Sequence, residues 1–100
     1  MKVGDIITYA YSYNARYPQF GRITKVSPTG KSIWFDKLGK SIVEDDGYGQ
    51  NGTCVANPDV IIERNLGPYR VKASARGEYV KVDGHYAGLW DGTPEDFYTD

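Results

Sequence analysis

No stretch of this chain repeats apolar residues at the three-and-four spacing of an amphipathic helix, whereas alternation with a period of two recurs from end to end. Residues 6–13, Ile-Ile-Thr-Tyr-Ala-Tyr-Ser-Tyr, put Ile7, Tyr9, Tyr11 and Tyr13 on one face and Ile6, Thr8, Ala10 and Ser12 on the other. β-Branched and aromatic side chains suit such a pleated surface. Tyr17-Pro18 should close the following loop, because proline brings no N–H to a ladder. A strand is expected over 20–26 and another over 31–38, joined as a hairpin through the turn residues Ser27-Pro28-Thr29-Gly30. Residues 40–43 add a short edge.

Residues 44–53, with three acids and three glycines, read as a polar loop. Residues 55–62, interrupted by Asn57-Pro58-Asp59, supply a short strand or one helical turn started by Pro58. Residues 69–73 make a further strand. Asp83-Gly84 between the alternating runs 78–82 and 86–90 is a hairpin signal. Asp91-Gly92-Thr93-Pro94 turns again, and the last six residues are expected to fray. Turn signals at this spacing point to an all-β fold, a small antiparallel barrel of five to six short strands with a glycine-rich loop. Closure into a barrel would remove edges that otherwise template aggregation.

One hundred residues fit one domain, 1–100, with one modest core. Nine Tyr, two Trp and three Phe supply that core with large side chains. No apolar run approaches the ~18 residues of a membrane span, and the opening Met1-Lys2-Val3-Gly4-Asp5 lacks a signal-peptide apolar region. The single cysteine, Cys54, has no partner for an internal disulfide, so a cytoplasmic setting is expected. The single histidine, His85, excludes multi-histidine metal sites. No cofactor is expected.

Two resemblances follow from particular residues. Val3-Gly4-Asp5-Ile6-Ile7, a Tyr-rich loop and Phe20-Gly21-Arg22-Ile23-Thr24-Lys25-Val26 resemble the first two strands of SH3-like barrels, over about the first forty residues. Ala87-Gly88-Leu89-Trp90-Asp91-Gly92-Thr93-Pro94-Glu95 resembles the Leu-Trp-Asp-Gly-X-Pro ending of small uncharacterised proteins of bacteriophages and prophages. Those proteins also open with Val-Gly-Asp and carry a Ser-(Ile/Val)-Trp strand, matched here by Ser32-Ile33-Trp34. The resemblance implies a phage source, acting in the host bacterial cytoplasm, and brings no catalytic residue with it.

The net charge of −1 conceals four bands. Residues 1–40 carry seven Lys/Arg against two Asp, and residues 64–81 carry five bases against one acid. Residues 41–63 and 82–100 carry five acids each and no base. The bands either cancel across the surface or gather Lys2, Arg16, Arg22, Lys25, Lys31, Arg70, Lys72 and Arg76 into a phosphate-attracting patch. A pI of 5.8 argues against a dedicated nucleic-acid binder.

No motif carries catalysis. Nothing in the sequence places Cys54 beside His85, and Glu44, Asp45 and Asp46 lack the alternate spacing of a calcium loop. Gly47-Tyr48-Gly49-Gln50-Asn51-Gly52 lacks the Gly-Lys-Ser/Thr of a phosphate-binding loop. The tyrosines are the better clue. Tyr13, Arg16 and Tyr17 read as rigid contact residues on an exposed loop, because Tyr and Arg are enriched at binding hot spots. Arg22 and Trp90 complete the expected partner-binding set, although Trp90 also suits a plug at the barrel end.

The leading expectation is therefore a non-enzymatic, phage-encoded accessory protein that binds a host macromolecule, a protein in preference to nucleic acid, and so modulates or inhibits it. A nucleic-acid-binding SH3-like module is the alternative. Capture of a nucleotide by Tyr48 and Gln50 is a third. A homodimer through the 40–43 edge or the C-terminal aromatics stays open. No membrane partner is expected.

Overall fold

The computed structural model describes residues 1–12 and 15–99, and the regular elements in it are all β-strands. They are β1 (Ile6–Ser12), β2 (Arg16–Val26), β3 (Ser32–Asp45), β4 (Asn51–Arg70), β5 (Lys72–Ser74), β6 (Gly77–Val82), β7 (His85–Leu89) and β8 (Glu95–Tyr98). Every pairing is antiparallel. The sheet runs β3-β4-β8-β2-β1-β7-β6-β5, and β3 also pairs with β2. Among the described residues no helix is long and apolar enough to cross a membrane.

The period-two pattern serves two cores, one on each face of β2 and β3. Ile23 lies opposite Phe35, and both enter a cluster with Ile7, Tyr9, Ile33, Val80, Val82 and Ala87. Phe20 lies opposite Leu38, and both enter a second cluster with Cys54 and Ala56. Successive side chains of a strand point to opposite faces, so the odd spacing from Phe20 to Ile23, and from Phe35 to Leu38, divides each strand between the two clusters. Phe20 and Phe35 are fully buried. Each such ring contributes about 1.5–3 kcal/mol relative to exposure. Leu66, Tyr69 and Val71 cover the first cluster; Ile6, Ile61, Trp90 and Phe97 cover the second.

Several expectations need correction. Pro18 lies inside β2, not at a loop end. Its carbonyl accepts a hydrogen bond from Lys40 Nζ (2.9 Å), so that edge of the residue faces β3. The N–H that proline lacks would point the same way, between Arg16, which pairs with β8, and Phe20, where pairing with β3 begins. No ladder bond is lost there.

The 40–43 edge is not a separate strand. β3 continues to Asp45, so the polar loop shrinks to residues 46–50. Pro58 starts no helical turn; β4 passes through it with a bulge, since Asn57 pairs with Gly39 while Ile61 pairs with Leu38. The tail forms β8, held against Asn51–Cys54 of β4, where fraying was expected. The sheet has eight strands in place of five to six. The Asp83-Gly84 turn forms as expected, with φ of 51° and 81°, the positive pair that a two-residue hairpin with the strands' own twist requires.

At Gly21 the Phe35 ring occupies the space a Cβ would need. Replacing Gly21 by Ala therefore overpacks the first core and should cost about 1–3 kcal/mol. Thermal denaturation should report that loss, with Tm falling by roughly 4 °C or more; an unchanged midpoint would contradict the packing. Burial pushes the Tyr9 phenol far above its ordinary value, with Tyr11 and Asp83 adding to the effect. Burial also raises Tyr11 and Tyr69. The folded state thus holds these protons longer than the unfolded chain does. Their contribution is present below the ordinary tyrosine pKa of 10.0 and is lost as pH rises above it. Tyr9→Phe should flatten the alkaline limb of a stability–pH curve.

Candidate nucleic-acid interface

Cross-strand partners share a face. The residues that alternate with the first core on β2, β3, β4–β5, β6 and β7 therefore form one outward row. Lys25 lies opposite Trp34, Ser32 opposite Arg70, Lys72 opposite Tyr79, and Lys81 opposite Tyr86. Tyr79 also lies opposite Gly88. Val71, between Arg70 and Lys72, turns inward and donates its N–H to the Lys31 carbonyl (2.9 Å), which carries the row from β4 into β5. At about 4.8 Å per strand, Trp34 and Tyr86 stand roughly 15 Å apart across the sheet.

Bases and aromatic rings alternate along this row. Lys25 Nζ stands 4.5 Å from the Trp34 ring centroid, and Lys81 Nζ stands 5.2 Å from that of Tyr86. Each contact is worth about 0.5–1 kcal/mol at an exposed site and keeps the ammonium on the ring. Tyr79 meets Tyr86 edge to face, 5.0 Å between centroids at 70°. Tyr86 is nonetheless 64% exposed. A groove of about 440 Å³ opens here, lined by Ser74, Arg76, Gly77, Glu78, Tyr79, Tyr86 and Gly88. Among the described residues the ion pairs are Met1 with Glu78, Arg16 with Glu95, and Arg64 with Asp36. Lys25, Lys31, Arg70, Lys72, Arg76 and Lys81 enter none of them.

Apart from Glu78 and Asp83, which adjoin the row, the densest group of acids lies elsewhere. Glu44, Asp45 and Asp46 sit at the β3–β4 tip, and β8 brings Glu95 and Asp96 beside Cys54 and Thr53 of that same hairpin. Asp36 is buried, accepts the Asn65 N–H (2.9 Å) and lies opposite Arg22.

The residues expected to bind a partner do not form one surface. Tyr13 lies outside the described residues. Arg16 is tied down: its Nε donates to the Asp96 carbonyl (3.0 Å) and its Nη2 to Glu95 Oε2 (3.2 Å). Tyr17 is 43% exposed near Tyr98, which is 45% exposed and pairs with the adjacent Arg16. Arg22 is half-buried. Trp90 packs edge to face on Phe20 (5.1 Å), donates Nε1–H to the Thr93 carbonyl (2.8 Å), and caps the second core. Of the expected basic patch, Lys25, Arg70 and Lys72 take outward positions on the row and Arg76 stands at the β5–β6 turn, whereas Lys2, Lys31, Arg16 and Arg22 lie off it.

Tyr48 stands 85% exposed on the turn, away from the groove. Gln50 is held at that turn, its carbonyl taking the Thr99 N–H (2.8 Å). His85 stacks edge-on against Tyr11 (4.8 Å), and Cys54 lies in the second core, so thiol and imidazole occupy different clusters. Trp34, Tyr79, Lys81 and Tyr86 were missing from the expected site. The signal was present as outward positions of alternating strands, but their neighbours come from distant parts of the chain.

No protein-family model matches the chain, and no curated protein or solved structure matches it.

The acidic turn yields a test of local order. The Asp46 carboxylate accepts N–H bonds from Tyr48 (2.9 Å) and Gln50 (3.3 Å) and from the Asn51 side-chain amide (3.1 Å). The Tyr48 bond is the main cause that holds its pKa below the usual carboxylate range. The contribution is present above the unfolded carboxylate pKa and is lost as pH falls through the lower folded value. The Tyr48 amide should therefore stay protected from hydrogen exchange at pH ~4 and lose protection on further acidification. Asp46→Ala should lose it at every pH.

Proposed function

We propose that this protein is a non-enzymatic binding module whose partner is nucleic acid, held on the outer row over the first core. The observation that carries this reading is that bases outside the ion pairs of the described residues, Lys25, Arg70, Lys72 and Lys81, are interleaved on outward strand positions with the half-buried rings of Trp34 and Tyr79 and the exposed ring of Tyr86. Phosphates are attracted by Lys25, Arg70, Lys72 and Lys81, and the rings of Trp34, Tyr79 and Tyr86 offer stacking surfaces between them. A surface built for phosphates alone would not need exposed aromatics.

The order in which β1, β2, β3, the continuous β4–β5, β6 and β7 surround the first core supports reading this part as a small SH3-like barrel. The placement of charge answers the objection from the acidic pI. Five of the acids lie at the β3–β4–β8 tip, and Glu78 beside the row is engaged by the Met1 amine, so the field over the row is weighted toward its bases. With the resemblance to phage proteins, the reading becomes a phage-encoded accessory protein acting on nucleic acid in the host cytoplasm.

A host protein as partner is the second reading. It is favoured by two exposed rings where β2 meets β8, Tyr17 and Tyr98, either of which suits a protein contact.

Fluorescence anisotropy with labelled oligonucleotides over a salt series separates the two. Binding should weaken linearly on a log–log plot, with a slope near −0.7 per phosphate neutralised for a single strand. Lys25→Glu with Lys72→Glu should abolish binding at moderate salt, while Tyr17→Ala with Tyr98→Ala should leave it intact. Absence of binding at low salt would overturn the nucleic-acid reading. A protein captured from lysate by the wild type and lost on Tyr17→Ala with Tyr98→Ala would establish the second.

A further inference from the structure

We infer that the groove between Tyr79 and Tyr86 seats an unpaired nucleobase, so that the ligand of the outer row is a single strand and not a duplex. This rests on the nucleic-acid reading above and names its substrate class. The groove, about 440 Å³, has the dimensions of a small-molecule site and is wide enough for one planar base. Its distinguishing chemistry is aromatic. Tyr86 presents a largely exposed ring, with Tyr79 set against it at 70°. A base lying flat on one ring would meet the edge of the other.

In a duplex the faces of the bases are already stacked, and only a base taken out of the stack offers its π-face to protein. The exposed ring of Tyr86, backed by the half-buried Tyr79, therefore contributes little to duplex binding and much to binding of a single strand.

The backbone keeps the seat open. Gly88 lies opposite Tyr79 on the outward face, and a Cβ there would meet nothing nearer than the Glu78 carbonyl, 4.0 Å away. Any larger side chain at this position would project over the groove floor. Gly77, at φ 113°, lets the β5–β6 turn close in a conformation other residues rarely adopt. Ser74 braces the same turn: its hydroxyl donates to the Gly77 carbonyl (3.0 Å) and accepts the Arg76 N–H (3.2 Å).

The turn places Arg76 on the groove wall with a guanidinium that enters no ion pair among the described residues. The acid on that wall, Glu78, is engaged through Oε1 by the Met1 amine (2.8 Å). A base on Tyr86 thus has a cation beside it for its own phosphate. Lys72 and Arg70 then lead the strand toward Trp34, the next stacking ring on the row.

Three probes of one sequence test this by anisotropy at the same low salt: the single strand, its duplex, and the strand with its bases removed. The intact single strand should bind at least about tenfold tighter than either of the others. Gly88→Leu, which fills the groove without a backbone clash, should weaken the single strand about tenfold, the effect of one stacked base, while leaving the salt slope unchanged. Tyr86→Ala, at an exposed position, should do the same and decides the matter if the thermal melt of Gly88→Leu shows a damaged fold.

Equal affinity for all three probes, or wild-type preference retained in the variants, would overturn the base seat and leave the nucleic-acid reading standing. Failure of every probe to bind would overturn that reading, and the seat with it.

Discussion

The structure depends on the pairing of β2 with β3, because this pair is buried on both faces. Ile23 and Phe35 look into one cluster, Phe20 and Leu38 into the other. A strand pair covered on both sides must be apolar on both, and Phe-Gly-Arg-Ile and Ile-Trp-Phe-Asp-Lys-Leu meet that demand with an odd spacing between their large residues. Gly21 is part of the same solution. Without a side chain it lets the Phe35 ring lie against the neighbouring backbone, and the ring fills what the glycine leaves empty. Residues outside the pair are arranged around it: β1, β6, β7 and the C-terminal part of β4 close over the first cluster, the N-terminal part of β4 and β8 over the second.

This two-sided arrangement also separates the charges. The first core has an outer surface on which Lys25, Arg70, Lys72 and Lys81 alternate with inward apolar residues, so folding that core displays the bases. The second core is fed by the long β3–β4 hairpin, whose tip carries Glu44, Asp45 and Asp46, and by β8, which brings Glu95 and Asp96 to it. Arg16 is the base caught on the acidic side, and it is spent there on Glu95 and the Asp96 carbonyl. A near-neutral chain thereby acquires a basic face and an acidic tip, and the field at each is set by nearby charges and not by the total.

Legibility from sequence was uneven, for physical reasons. The strands at 6–12, 20–26 and 32–38 and the Asp83-Gly84 turn were readable because alternation and turn chemistry are local. Pro18 and Pro58 misled, because proline forbids a strand only where its missing N–H would have had a partner. At Pro18 that edge faces a gap between β8 and β3; at Pro58 a bulge absorbs the interruption. The acids and glycines at 44–53 suggested a longer loop than forms. Pairing of Glu44 with Thr53 and of Asp45 with Gly52 extends the ladder into residues whose composition opposes it, and β8 stabilises that extension from the other edge. Trp90 was readable both as a contact residue and as a plug, and its packing on Phe20 decides for the plug's geometry.

The sequence by itself determined that this chain forms strands, where several of them turn, and that its charge lies in bands, because these properties belong to neighbours along the chain. Only the tertiary structure decided which strands pair, that the alternating pattern serves two cores, and that Tyr79 and Tyr86 meet at one groove beside Arg76. Period-two alternation tells a residue's face within its own strand, but not which strand lies beside it or which of two faces meets solvent. Those choices are made by pairing between residues tens of positions apart, and the candidate interface consists of such pairs.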